Sequence, residues 1–371
     1  MTSATPRPTH WSADARPDHK TEDRDGYRDA HGFPGPDAPD TSGAPAAAGL
    51  PWAAGSATGI GSHPGTAMAD ALGVAFELPL PYLPELPARG PGADMLGRTM
   101  GLLVDMPVEL YAARWQLTGR PGKDARRTAD LWARDLDALT VAADGYAGPL
   151  KLQAAGPWTL AASLQLPVGG AVLRDRGAVR DLVDSLTEGL RQHVAAVSAR
   201  VPGADVLLQL DEPSLPAVLA GHIGTESGLG VFAAVPRPDA TEALARLMAG
   251  VGVPVVVHCC APDVPVGLIR AAGAVGVALD LSLLGDIDPM GEALDDGFGL
   301  LAGVAPALGR ASAKVAADRI EDLWNKLGLR PADLPGQVVV TPVCGLAGSK
   351  PEVADATLRA CAEAGRRLLE R

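Results

Sequence analysis

VPVVVHCCAP, residues 253–262, is a run of β-branched residues that leads straight into a histidine and two adjacent cysteines, in a chain with four cysteines altogether. Apolar at successive positions and bounded by Gly252 and Pro262, it reads as a strand buried on both faces, the pattern of a parallel sheet. Its chemistry-bearing residues fall at its C-terminal end.

Seven further runs share this character: SATGIGS (56–62), VAFELPL (74–80), LKLQAAG (150–156), VLLQLDE (206–212), VGVALDLS (275–282), LLAGVA (300–305) and QVVVTPVC (337–344). Segments of helical period separate them, among them RTADLWARDLDALTVAA (127–143), GAVRDLVDSLTEGLRQHVAAVSAR (177–200), ATEALARLMAG (240–250) and KVAADRIEDLWNKLG (314–328), and EVADATLRACAEAGRRLLER (352–371) closes the chain. Eight strands, each followed by helical sequence, describe an α/β chain folded as a (β/α)8 TIM barrel. The alternative, an open doubly wound sheet, lacks the glycine-rich phosphate motif expected after a strand. A barrel assembles its site from strand C-termini. Ser62 and His63, Asp211 and Glu212, His258 and Cys260, Asp280 and Cys344 all fall there.

Residues 1–52 are rich in Pro, Asp, Gly, Thr and Ala without a hydrophobic period, so a disordered tail is expected, with the barrel over 53–371. The formal net charge of −12 disfavours nucleic acid and anionic membranes as partners. No apolar run approaches the roughly 18 residues of a membrane span, and the N-terminus has no apolar signal core. A soluble, cytoplasmic protein with a small-molecule substrate is expected. Four cysteines in 371 residues do not make a disulfide framework, which leaves reduced thiols or metal ligands.

Strand alternation puts His258 and Cys260 on one face and Cys259 on the other. HCC then reads either as a core histidine beside two inert thiols or as half of a metal site. Cys344, at another strand end across the same barrel mouth, favours the metal, and Asp280 is the best-placed carboxylate for a His/Cys/Cys/Asp set. Thiolate-rich coordination suits Zn2+. Two thiolates and a carboxylate make the ion a poor Lewis acid toward a carbonyl, yet it still lowers the pKa of a bound substrate thiol. Alkyl transfer to sulfur is the reaction such a site favours.

With these residues in place, the sequence over about 56–371 resembles the C-terminal catalytic barrel of the cobalamin-independent methionine synthases. The resemblance implies that Ile60, Gly61 and Ser62 of ATGIGSHPGT hold the homocysteine backbone and that Asp211 of LQLDEPSL binds its ammonium. It implies zinc ligands at His258 and Cys260 of VVHCCA, at Cys344 of TPVCGLAG, and at Asp280 where the family usually has Glu, with Asp286 the other acid within reach. It further implies homocysteine as acceptor and methylfolate or a methylated corrinoid protein as donor. Departures gather on the donor side. Ser163 and Ala217 occupy positions where the family has a pterin-facing Trp and a folate-contacting Glu, and LLAGVAPALGR lacks the family's histidine. No counterpart of the family's N-terminal barrel is recognised.

His63 is a candidate proton donor, since imidazole titrates near neutrality. Glu109 is a candidate second carboxylate for a substrate ammonium, while Asp105 reads as an ordinary helix-start acid. Two other functions compete: a metal-free barrel enzyme like the uroporphyrinogen decarboxylases, and a non-catalytic zinc- or thiol-binding barrel.

Overall fold

The computed structural model describes residues 49–370, so the expected tail lies almost entirely outside the described residues. A two-stranded hairpin, β1 (Val108–Tyr111) and β2 (Arg114–Leu117), stands apart from the main sheet. Six parallel strands form that sheet in sequential order: β3 (Ala147–Ala155), β4 (Gly203–Asp211), β5 (Val255–Cys259), β6 (Gly276–Asp280), β7 (Gly299–Ala305) and β8 (Val338–Pro342). They coincide with the last six apolar runs of the sequence.

The gap between β8 and β3 is spanned by two irregular extended segments. Around residues 56–62, Ala57 bridges Val340 of β8, and Val340 N–H donates to the Ser56 carbonyl at 2.9 Å. Around 80–85, Tyr82 bridges Lys151 of β3, and Ser62 bridges Glu85. The sheet therefore curls round in the manner of a TIM barrel. The second extended segment corrects the sequence reading: Val74 and Ala75 belong to the helix Met68–Ala75, and the strand expected at 74–80 lies instead at 80–85. Pro79, Pro81 and Pro84 give this segment no run of backbone donors. It consequently makes isolated bridges, with Leu83 N–H donating to Lys151 O and Lys151 N–H to Pro81 O, in place of a regular ladder.

Alternation along the strands divides the core. Ile60, Leu80, Leu207, Val256, Ala278, Leu301 and Val339 meet inside the curled sheet with Trp52, while the intervening residues pack outward against the helices. Leu207, Val256 and Ala278 face inward. By the same two-residue period, so do Gln209 and Asp211, His258, and Asp280 further along their strands.

Candidate functional site

Register brings the first pair together. Asp211 and His258 are direct partners across β4 and β5, both on the inner face and both about 4 % exposed. Their side chains meet, with His258 Nδ1 2.8 Å from Asp211 Oδ1. The same oxygen accepts from Gln209 Nε2 at 2.7 Å. A carboxylate oxygen with two such neighbours is an acceptor, so His258 carries a proton on Nδ1, and in the neutral imidazole the lone pair then lies on Nε2. That Nε2 is buried and has no hydrogen-bond partner.

Cys260 and Cys344, distant in sequence, meet at the same mouth as hydrogen-bonding neighbours. The Cys260 thiol donates to Cys344 and is held well above the ordinary thiol range. Cys344 is pulled down to about 6, first by that bond and further by His258 and the Gly345 backbone N–H, against its burial. Cys259 faces away, is fully buried and is pushed up to about 12 by burial, so strand alternation is obeyed.

The turn of Ile60, Gly61 and Ser62 supports the Cys344 loop. Leu346 N–H donates to the Ser62 carbonyl at 2.8 Å, and Ala347 N–H reaches Ser62 Oγ at 3.4 Å. A Cβ on Gly345 would lie 2.1 Å from Ser62 Oγ, so this approach requires glycine. A Cβ on Gly61 would in turn press on Gln153 Cγ at 3.0 Å.

Three further anticipated residues have contacts of their own. Asp280 Oδ1 accepts from Ser282 N–H (2.8 Å) and Oγ (2.7 Å), capping the 3-10 turn Leu281–Leu283. His63 is buried against the C-terminal helix Pro351–Leu369, with Nε2 3.4 Å from Asp355 Oδ1 and Nδ1 3.0 Å from the Pro64 carbonyl oxygen. Glu109 is half-buried on β1, paired with Gln116 of the hairpin. Glu212, beside Asp211, points the other way and caps the short helix Pro157–Ser163, accepting from Trp158 N–H at 2.9 Å and Thr159 N–H at 2.8 Å. Among the described residues, no group of three or more His, Cys, Asp and Glu is gathered closely enough to enclose a metal ion as it stands.

The second carboxyl of the mouth is Glu85, which sequence reasoning passed over inside a proline-rich loop. It is 3 % exposed, and its Oε1 has no hydrogen-bond partner. Burial first, and then the charge of Asp211, raise it to about 8 against the opposing charges of Arg98 and Lys151. A carboxyl whose folded value lies above its ordinary 4.5 adds stability that is complete at acid pH and is lost as pH rises through about 8. Glu85→Gln should therefore melt with the parent near pH 5 and roughly 2–5 °C above it at pH 9. Equal melting temperatures at both pH values would show that Glu85 is not held protonated.

A cavity of about 870 Å3 lies outside the curled sheet, beside the helices Arg176–Arg200 and Arg237–Val251, and holds none of these residues. Among the described residues no helix is long and apolar enough to cross a membrane.

No protein-family model matches the sequence, and no curated protein matches it. Solved structures do. A B12-independent methionine synthase from Shewanella sp. W3-18-1, in complex with selenomethionine, superposes with a TM-score of 0.55 over 87% of this chain and 98% of its own, at 12% identity. A methyltransferase from Methanosarcina mazei superposes with a TM-score of 0.51 over 87% of this chain and 95% of its own, at 17% identity. The chain thus shares the fold of the B12-independent methionine synthase expected from its motifs.

Proposed function

We propose that the protein is a zinc-dependent methyltransferase that moves a methyl group to the thiol of homocysteine, with methylfolate or a methylated corrinoid protein as donor. The observation that carries the reading is the unpartnered, buried Nε2 of His258 at the mouth that also holds the Cys260–Cys344 thiol pair. A lone pair and two neighbouring thiols, of which Cys344 is the acidic one, form a donor set for a thiophilic cation. The carboxylate behind His258 supplies the hydrogen bond that metal-ligating imidazoles habitually make. His258, Cys260 and Cys344 would hold Zn2+, with Asp280 the proposed fourth ligand. Bound there, zinc supplies acidification of the acceptor thiol near neutral pH.

The remaining work belongs to the chain. Asp211 and Glu85 face the acceptor's ammonium, and binding it expels the Glu85 proton. The Ile60–Ser62 turn takes the carboxylate. The thiol gives up its proton, the sulfur lone pair takes the methyl group, and the electron pair of the methyl–donor bond stays with the donor, on the folate nitrogen, which then takes up a proton, or on the corrinoid cobalt. Selenomethionine in the Shewanella enzyme, a relative of the expected product, agrees with an amino-acid acceptor here.

The test is metal analysis together with methyl transfer to homocysteine from each donor. About one zinc per chain and methionine formation are expected. Cys259→Ala should keep both, and Cys260→Ala should lose both. Methyl transfer by metal-free protein would overturn the zinc reading, and a zinc-loaded protein inactive with both donors would leave only a binding role.

A further inference from the structure

Lys151 is the least explained residue of the interior. It sits on β3 with its side chain inside the curled sheet, 0 % exposed. A buried ammonium is costly, and a leucine would fill the space without that cost. Its hydrogen bonds show what it does there. Nζ donates to the Ile60 carbonyl at 3.1 Å and to Gln209 Oε1 at 2.9 Å. Gln209 Nε2, on the other side of the same amide, donates to the Ile60 carbonyl and to Asp211 Oδ1, each at 2.7 Å.

This arrangement allows one amide orientation. A flipped Gln209 would set its NH2 against the ammonium and its oxygen against a carboxylate and a carbonyl. Lys151 thereby holds two parts of the mouth. Through Gln209 it fixes Asp211, and so the partner of His258. Through the Ile60 carbonyl it fixes the turn whose Ser62 carries the Cys344 loop.

We infer that Lys151 is a positioning residue. Its ammonium locks the Gln209 amide and the Ile60 carbonyl and so sets both Asp211 and the Ser62 turn. The consequence for acceptor binding rests on the function proposed above, while the consequence for Asp211 and His258 does not.

Lys151→Met tests this, because methionine keeps the volume of the stem and removes the donor. Two readouts are needed on the full chain: homocysteine affinity by calorimetry, and the NMR signal of the His258 Nδ1 proton held by Asp211. Lys151→Met is expected to weaken homocysteine by roughly 10-fold or more and to lose the protected Nδ1 proton. A residue that only fills space would leave both as in the parent, and that result would overturn the inference. If the parent itself does not bind homocysteine, the acceptor reading falls, and the His258 signal still decides the role of Lys151. If Lys151→Met does not fold, Gln209→Met breaks the same relay with Lys151 in place. An undisturbed His258 proton in that variant would likewise overturn the inference.

Discussion

Cys344→Ser is expected to strip the protein of zinc while leaving it folded. Cys344 lies just beyond β8 in the loop seated on Ser62, half-buried, with its side chain spent on Cys260 and not on the core. Serine keeps the size and the hydrogen bond, so metal-free stability should move by no more than about 0.5 kcal/mol. As a metal ligand serine is far poorer than a thiolate. Loss of an outer-shell partner alone costs about 10–100-fold in metal affinity, so loss of a ligand should cost at least about 100-fold. Dialysis against a chelator followed by metal analysis measures it. Full zinc occupancy in the variant would refute the assignment of Cys344.

Asp211→Asn is the second large effect. The carboxylate is buried, accepts from Gln209 and His258, and faces the same space as Glu85. Asparagine keeps its shape and removes the charge offered to an ammonium. A charge-assisted hydrogen bond contributes about 1.5–3 kcal/mol, so homocysteine affinity should fall by roughly 10- to 150-fold. Mercaptoethanol, a thiol without the amino-acid head, should bind weakly and alike to parent and variant. Calorimetry with both thiols decides the matter, and unchanged homocysteine affinity would mean that the acceptor is not held by its ammonium here. Because Asp211 also orients His258, zinc content is measured in parallel, and the comparison is made at equal loading.

What these variants probe was unequally visible in the chain itself. Period-two burial and period-3.6 helices are local properties, so six strands, the helices between them and the inner-face pairing of His258 with Cys260 can be read from residue order alone. Polar residues at alternate positions, Lys151 and Gln153 in LKLQ and Gln209 and Asp211 in LLQLD, already carried the signal of a polar interior.

Other features depend on how distant segments meet. The second extended segment shifted from 74–80 to 80–85 because its backbone bonds go to Lys151 and Ala57, partners that a proline-rich stretch does not reveal. Glu85 entered the mouth with it. His63 and Glu109 carry suitable chemistry in suitable places along the chain, and the structure sets His63 3.4 Å from Asp355 and Glu109 on the β1–β2 hairpin. By itself the sequence determined which residues have the chemistry and which face of a strand they take, since both follow from side-chain type and strand period. Only the tertiary structure decided which of them converge, because strand register and loop path are set by long-range packing. Those same contacts put the Nε2 lone pair of His258, the thiols of Cys260 and Cys344, and the carboxyls of Asp211 and Glu85 at one end of the sheet.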